Sequence, residues 1–586
     1  MATPQEVAQQ AQALAGSGRA DQAVTLLTRA LARDARQPLL LAVLADAHTL
    51  LKDVARARYN ARLAWEAAKA DPGAAARAID ALLRCEDVGV VAALVEKAPA
   101  QDASIYERVM GAALVAGMPA IAERVGARAL ALLTQDQRSM ARVSMPYASA
   151  LLALGRPEDA YAFITHACAT TPHPALLQHA AVLANYCEED PVRVRQLHDE
   201  FARVVESAVA RDRRALASHQ PDPGRTLCIG LLSGDFRDHS VMWFLKGFLA
   251  RRDRAESRLV CFSTQHAPDA ATALVRAQCD AMHDITSMHP AAARDLIGRE
   301  RVDVLVDLSG HSWGSSPHLL ALRAAPVQVT MIGYPATTGL STVDVRVVDS
   351  LTDPPGADAY AAERLARLDP CFLCYTPRED LPAPTQRPTD ATMTFASFNA
   401  QMKHTEKTLA LWARVLNALP GSRLCMKNKS LGDEGVRTTL SARLRRAGLD
   451  PARVEMLPWA DDPQEHMRAY GGVDIALDTF PYHGTTTTCE ALSMGVPVIS
   501  RVGATHASRV GLSLLTSVGL SDFACTSDDA FVDAAVALAR DPGRRTDLRG
   551  GLRARMLGGP LCDGVAHTRR LEELFRDEWR RVCAAR

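Results

Sequence analysis

Several stretches of the chain combine residue types that could handle a charged leaving group. From Asp474 to Asp478 an apolar strand is followed by Thr479, Phe480, Pro481, Tyr482, His483 and Gly484, then by Thr485, Thr486, Thr487 and Thr488 at the start of a helix. Free N–H groups at a helix start, with hydroxyls beside them, make a diphosphate site. A threonine run is more often an N-cap with solvated neighbours. Its position at a strand's carboxyl end favours the ligand here. No GxGxxG follows the first strand and no GxxxxGK[ST] ends one, so neither a dinucleotide fingerprint nor a P-loop is the form.

Lys403 follows the strand-like stretch 394–398, where a cation would stabilise charge leaving on a diphosphate. Lys427 and Lys429 stand in the same relation to the next strand. A solvated surface lysine is the alternative for each, and the favoured one for Lys429. His239 closes the segment Ser233 to Ser240 between strand and helix. It could serve as general base, as orienter of an acceptor, or as an N-cap-region residue without chemistry. The loop from Gly333 to Gly339 again follows a strand, and its glycines permit close approach to a sugar.

Elements must hold these residues, and composition limits which. The 586 residues carry 67 Lys+Arg against 67 Asp+Glu, so the surplus positive charge of a nucleic-acid binder or polybasic membrane protein is missing. Hydrophobic residues at 48% and charged residues at 23% fit a soluble globular class. The length suits about three or four domains. Thirteen scattered cysteines fit reduced thiols better than a disulfide framework. Cys371 and Cys374 form a CxxC, but no second ligand pair supports zinc, and both read as apolar members of a strand-like run. With no signal peptide and no spanning segment in view, the expected address is cytoplasmic, without membrane association.

Residues 1–208 read as helix, with turn points at Gly18, Lys52, Glu86, Gly117 and Gly155. Steps of 34, 34, 31 and 38 residues approach the tetratricopeptide period. Stacked helix pairs bury one continuous core and leave a concave groove for a peptide or for oligomerisation. The alternative is a merely structural helical layer. After the breaker cluster Pro221 to Gly224 the pattern alternates. Strands are expected at 227–232, 259–263, 302–307 and 327–332, with helices at 240–250 and 291–299. A Pro-rich linker, Leu381 to Pro388, precedes strands at 394–398, 423–426, 454–457, 475–478 and 496–500. Two Rossmann-like α/β lobes follow, with a cleft at their carboxyl strand ends.

The motifs resemble glycosyltransferase family 41, which contains the O-linked N-acetylglucosamine transferases and the plant SPINDLY O-fucosyltransferases. The matching segments are Asp235 to Ser240; Leu308 to Ser312; Ala325 to Val329; Gly333 to Pro335; Ser397 to Asn399 leading to Lys403; and Leu477 to Tyr482 with its threonines. The resemblance runs from about residue 225 onward, and tetratricopeptide repeats ahead of it are also the family arrangement. It implies a GT-B fold and inverting transfer from a nucleotide-diphosphate sugar to a Ser or Thr hydroxyl, with no metal or other cofactor. It also implies roles: Lys403 on the diphosphate; Thr485, Thr486 and Thr487 on the phosphates; Glu490 on the ribose; His466 against the base; Ser312, Gly333 and Pro335 lining the sugar pocket; His239 near the reacting centre. Lys427 follows a strand where the family also places a basic residue.

The match is not uniform. Thr485 stands where the N-acetylglucosamine transferases carry histidine, and Ala400 where the animal enzymes carry glutamine. The segments 479–482, 485–490 and 369–377 are closer to SPINDLY, and the animal enzymes' long insert between the lobes is missing. The expectation is therefore a protein O-glycosyltransferase using UDP-GlcNAc, with GDP-fucose as the alternative donor and a catalytically weak repeat scaffold as the alternative class. The domains are expected at 1–208 (repeats), 222–380 (acceptor-side lobe), 391–563 (donor-side lobe) and 564–586 (a helix returning to the first lobe). Protein or peptide acceptors would use the repeat groove. The partners include no nucleic acid, and a homo-oligomer is left open.

Overall fold

The computed structural model describes residues 2–68, 71–133, 137–216, 221–265, 267–388, 390–460 and 462–585. Met1 and Arg586, the outer ends of the expected first and last segments, lie outside the described residues. Two compact units form: Met1–Leu176 with Gly432–Thr439, and Leu177–Leu431 with Leu440–Arg586.

Among the described residues, twelve helices run from Pro4–Gly16 to Pro191–Val209. The five turn points fall inside successive helix pairs. At four of them one residue takes a left-handed backbone, with φ of 80° at Gly18, 60° at Lys52, 73° at Gly117 and 72° at Gly155. Three are glycine because such a φ costs an L side chain energy. At the fifth, Glu86 is extended and Asp87 caps the next helix by accepting from the Gly89 N–H at 2.8 Å. Small residues let the pairs approach closely: Ala23, Ala57, Ala61, Ala78 and Ala92 are fully buried among Leu27, Ile79 and Leu82. Each large aliphatic side chain so buried contributes about 1.5–3 kcal/mol.

The repeat pattern reaches residue 209, but the first compact unit ends at Leu176, short of the expected boundary at 208. The helix Pro191–Val209 sends its apolar face into the first lobe. Phe201 and His198 each pack against His311, with ring centroids 5.0 Å apart in both cases.

The first lobe is a seven-stranded sheet of β1 (Leu227–Ser233), β2 (Ser257–Ser263), β3 (Ala281–Asp284), β4 (Val304–Asp307), β5 (Val327–Thr330), β6 (Val345–Val348) and β7 (Arg364–Arg367), in the order β3-β2-β1-β4-β5-β6-β7. The second holds β8 (Thr394–Ser397), β9 (Arg423–Lys427), β10 (Val454–Leu457), β11 (Ile475–Leu477), β12 (Val498–Arg501) and β13 (Ala524–Cys525), in the order β10-β9-β8-β11-β12-β13. All pairings are parallel, as crossovers through helices require. The strand order reverses between β1 and β4 and between β8 and β11, and at such switch points the carboxyl ends splay into a crevice.

The helix Gly564–Ala584 lies on the first lobe. Phe575 meets Phe248 at 6.3 Å, Trp579 donates its indole N–H to the Asp222 carbonyl at 2.9 Å, and Glu578 pairs with Arg364. Cys371 and Cys374 are buried but lie in irregular chain rather than a strand. Burial pushes their thiols up to about 11 and about 12.

Candidate active site

The candidate residues collect at the carboxyl ends of the strands. His239 follows β1, Ser312 follows β4, Gly333 and Pro335 follow β5, and Lys403 follows β8. Lys427 ends β9, His466 lies in the helix Pro463–Arg468 after β10, and Thr485, Thr486, Thr487 and Glu490 follow β11. They are spread over both lobes.

In the second lobe Asp478 organises the loop after β11. One carboxylate oxygen accepts from the N–H groups of Thr479 at 2.9 Å and Gly484 at 2.7 Å; the other accepts from the Ser500 hydroxyl at 2.5 Å. The loop leads into the helix Thr486–Ser493, capped at Thr485, whose side chain makes no capping bond. The first-turn amides are thus left without that partner. Glycine is required at 484, because a Cβ there would sit 2.4 Å from Thr487 Oγ1 and 3.0 Å from Asn399 Oδ1. The Thr487 hydroxyl donates to Asn399 Oδ1 at 3.0 Å, fastening the helix start to the end of β8.

Lys403 reaches the same loop. Its ammonium donates to the His483 carbonyl at 2.7 Å and lies 4.1 Å from the centre of the Tyr482 ring. Burial lowers its pKa to about 8, against a smaller opposing pull from Asp478. His483 cannot serve a ligand at the same time. Its Nδ1 accepts from the Gly511 N–H at 3.0 Å, so Nε2 carries the proton and donates to the Arg501 carbonyl at 2.8 Å.

A second chain of contacts runs along the wall of this lobe. The Lys427 ammonium faces His466 Nδ1 at 3.2 Å. That nitrogen must accept, which leaves the proton on Nε2, 3.2 Å from Glu490 Oε2. Burial lowers the Lys427 pKa. Tyr470 packs on Phe398 at 4.5 Å, with its hydroxyl 3.5 Å from the same carboxylate oxygen. Lys427, His466 and Glu490 are therefore one connected unit. Lys429 opens a short 3₁₀ turn after β9 and takes no part in it.

In the first lobe His239 is the N-cap of the helix Ser240–Arg251. Its Nδ1 lies 3.4 Å from the Val241 N–H and 3.5 Å from Asp235 Oδ2. The first contact needs a lone pair on Nδ1 and the second a proton, so the two tautomers compete. With the proton on Nδ1, Nε2 is free to take one from an acceptor. Burial lowers the His239 pKa, Asp235 opposing, and burial raises that of Asp235.

Asp307 orders the loop after β4, accepting from the N–H groups of Ser309 and Gly310 and from the Thr330 hydroxyl. Ser312 donates its hydroxyl to the Ser309 carbonyl at 2.8 Å, which leaves lone pairs to accept. The strand expected to reach residue 332 stops at Thr330, because the chain turns sharply: Gly333 N–H bonds to the Met331 carbonyl at 2.8 Å across Ile332, whose φ is 66°. A β-branched residue there is strained by about 1–3 kcal/mol. Gly333 approaches the neighbouring loop so closely that a Cβ would lie 1.8 Å from the Leu308 carbonyl oxygen.

Among the described residues no group of three or more His, Cys, Asp or Glu could hold a metal ion, and no helix is long and apolar enough to cross a membrane.

A helical repeat region followed by two facing parallel-sheet lobes, with basic and hydroxyl residues at the strand ends, defines the GT-B class of glycosyltransferase architecture. Residues 207–387 and 376–571 match the model of glycosyl transferase family 41, and the chain belongs to that family. It is 42% identical over 370 residues to the Petunia hybrida protein named probable UDP-N-acetylglucosamine–peptide N-acetylglucosaminyltransferase SPINDLY, over 62% of this chain and 40% of that one. It is 27% identical over 374 residues to the Arabidopsis thaliana protein of the same probable activity named SEC, over 61% of this chain and 38% of that one. The chain thus spans about two fifths of the length of these plant relatives. Among solved structures, a lysine-to-methionine mutant of the Thermobaculum terrenum O-GlcNAc transferase aligns over 100% of both chains with a TM-score of 0.72 and 28% identity.

Proposed function

We propose that this chain is an inverting protein O-glycosyltransferase that moves N-acetylglucosamine from UDP-GlcNAc to Ser or Thr hydroxyls. The observation that carries the reading is Lys403, a half-buried cation bonded to the loop that opens the helix Thr486–Ser493. Its family membership and the names of its relatives support it.

In this reading the diphosphate lies over the start of that helix, held by the amides and hydroxyls of Thr485, Thr486 and Thr487. The nucleoside extends toward His466 and Glu490, with Lys427 behind them. Gly333, Pro335 and Ser312 line the sugar pocket. The acceptor oxygen attacks the anomeric carbon as the bond to the diphosphate breaks on the opposite face, which inverts that centre. Lys403 and the helix start meet the charge gathering on the leaving diphosphate, a task that needs no protein-bound metal. His239 takes the acceptor proton at Nε2 while Asp235 holds the Nδ1 proton. The helix pairs bind the protein acceptor, and the location is cytoplasmic.

The alternative donor is GDP-fucose, which rests on the SPINDLY-like segments and on Thr485 standing where the N-acetylglucosamine transferases carry histidine; the SPINDLY and SEC relatives are themselves both named for UDP-N-acetylglucosamine. Incubation of the purified chain with UDP-GlcNAc and candidate acceptors tests the first reading, with mass spectrometry locating the modified residue. N-acetylhexosamine on a Ser or Thr supports it; neither transfer nor hydrolysis of the donor contradicts it.

A further inference from the structure

The corner between the helices Pro174–Cys187 and Pro191–Val209 touches both sides of the cleft with two adjacent residues. Asn185 donates to the Tyr334 hydroxyl at 2.8 Å, in the first-lobe loop between Gly333 and Pro335. Tyr186 packs its ring on that of Tyr482 at 4.8 Å, the ring that carries the Lys403 ammonium on the second lobe. Three residues on, Glu189 pairs with Lys407 at 2.7 Å, one turn beyond Lys403.

The first-lobe anchor has a defined direction. His198 Nδ1 lies 2.7 Å from the Val194 carbonyl and must donate to it, so Nε2 is the acceptor for the Tyr334 hydroxyl at 2.8 Å. The hydroxyl thus receives from Asn185 and gives to His198. Its ring is further held against His311 at 5.1 Å. Tyr334 is half-buried and its partner His198 is fully buried, so losing the hydroxyl strands His198 Nε2. The loop that turns through the strained Ile332 is therefore fixed from outside its own lobe sheet, by side chains of the two preceding helices.

We propose that this corner is a clasp across the cleft: Asn185 and His198 position the 333–335 loop through Tyr334, and Tyr186 positions Tyr482 and with it Lys403. These are positioning residues for the transfer proposed above, and their kinetic part rests on that reading. The packing itself does not.

The test uses the full chain and three variants: Tyr186→Ala, Tyr186→Phe and Tyr334→Phe. Hydrogen exchange without donor is read at 332–337 and 482–487, alongside kcat and KM for the donor. The clasp predicts faster exchange at 482–487 in Tyr186→Ala and at 332–337 in Tyr334→Phe. It predicts a loss of roughly ten- to hundred-fold in kcat/KM for each, since a displacement of about 1 Å at a reacting centre is that costly. Tyr186→Phe keeps the ring contact and should restore both readouts to within about two-fold of the parent chain. Unchanged exchange in both loops overturns the clasp, whatever the transfer assay gives. A Tyr186→Phe variant as impaired as Tyr186→Ala overturns the ring-packing part. Should Tyr186→Ala fail to fold, Tyr186→Leu, which removes the ring but keeps apolar bulk, takes its place at 482–487, and Tyr334→Phe decides the first-lobe anchor. If the parent transfers no sugar, the exchange data still decide the clasp.

Discussion

The ammonium of Lys403 donates to the main-chain carbonyl of His483 at 2.7 Å, tying the end of β8 to the loop that opens the helix Thr486–Ser493. The cation is held beside the helix start before any ligand arrives. Such pre-placed charge acts on a developing anion without reorganising at the moment of reaction.

Lys403→Ala should therefore lower kcat by about 10²–10³, the usual cost of removing one charge-stabilising donor. Acceptor binding should weaken much less. Steady-state kinetics beside acceptor binding by calorimetry checks this, and retained turnover removes Lys403 from the mechanism.

The Lys403 pKa of about 8 gives a pH dependence with a defined sign. In the free protein the ammonium is lost as pH rises through about 8, so kcat/KM should fall on the alkaline side and the limb should vanish in Lys403→Ala. Between about 8 and the unperturbed 10.5 the unfolded chain holds more protons at this position than the folded one. This group's contribution to stability therefore becomes more favourable as pH rises across that window. Denaturation of the parent and the variant across it checks the sign.

His239→Gln should reduce kcat by about 10²–10⁴ if the imidazole accepts the acceptor's proton. Asp235→Asn should act in the same direction but more weakly, because it leaves the ring in place and removes only the partner that favours a proton on Nδ1. A pH–rate profile separates this from loss of acceptor orientation, which would raise the acceptor KM and leave the acidic limb where it was.

Gly333→Ala places a methyl where the Leu308 carbonyl oxygen stands. The loop must move, at a cost of about 1–3 kcal/mol for overpacking. Denaturant unfolding should show that loss, and donor affinity should fall with it. A variant with parental stability and donor affinity would show that the loop is not held as tightly as its geometry implies.

Much of this arrangement was legible in the sequence. The periodic turn points were visible because glycine, or a residue in the same left-handed backbone, recurs at four of the five helix-pair turns, with a capping Asp87 beside Glu86 at the other. The strands that line the site were visible because they are short apolar runs ending in polar loops. Less legible were β3, β6 and β7. The first is half-exposed, and Arg346 and Arg364 interrupt the apolar pattern of the other two. The boundary at 176 was hidden because Pro191–Val209 has repeat-like periodicity, and periodicity does not say against which neighbour an apolar face packs. Within the site, Asp478 and Asn399 stood inside recognised segments without a role, and Tyr470 stood outside them, because their work is to hold other residues and holding leaves no spacing signature. An Asp ending a buried strand ahead of a glycine loop is the one signal that would have found Asp478. Tyr334 stood inside a recognised motif, yet its partners Asn185 and His198 lie 149 and 136 residues away in sequence.

The most direct test of the account is a paired titration calorimetry of the full chain with UDP-GlcNAc and with GDP-fucose, each donor then supplied for transfer to a protein acceptor. The account predicts the tighter binding for UDP-GlcNAc and N-acetylhexosamine on Ser or Thr. Binding and transfer with GDP-fucose alone would contradict the donor assignment while keeping the mechanism. Binding of neither donor would contradict the glycosyltransferase reading of the cleft itself.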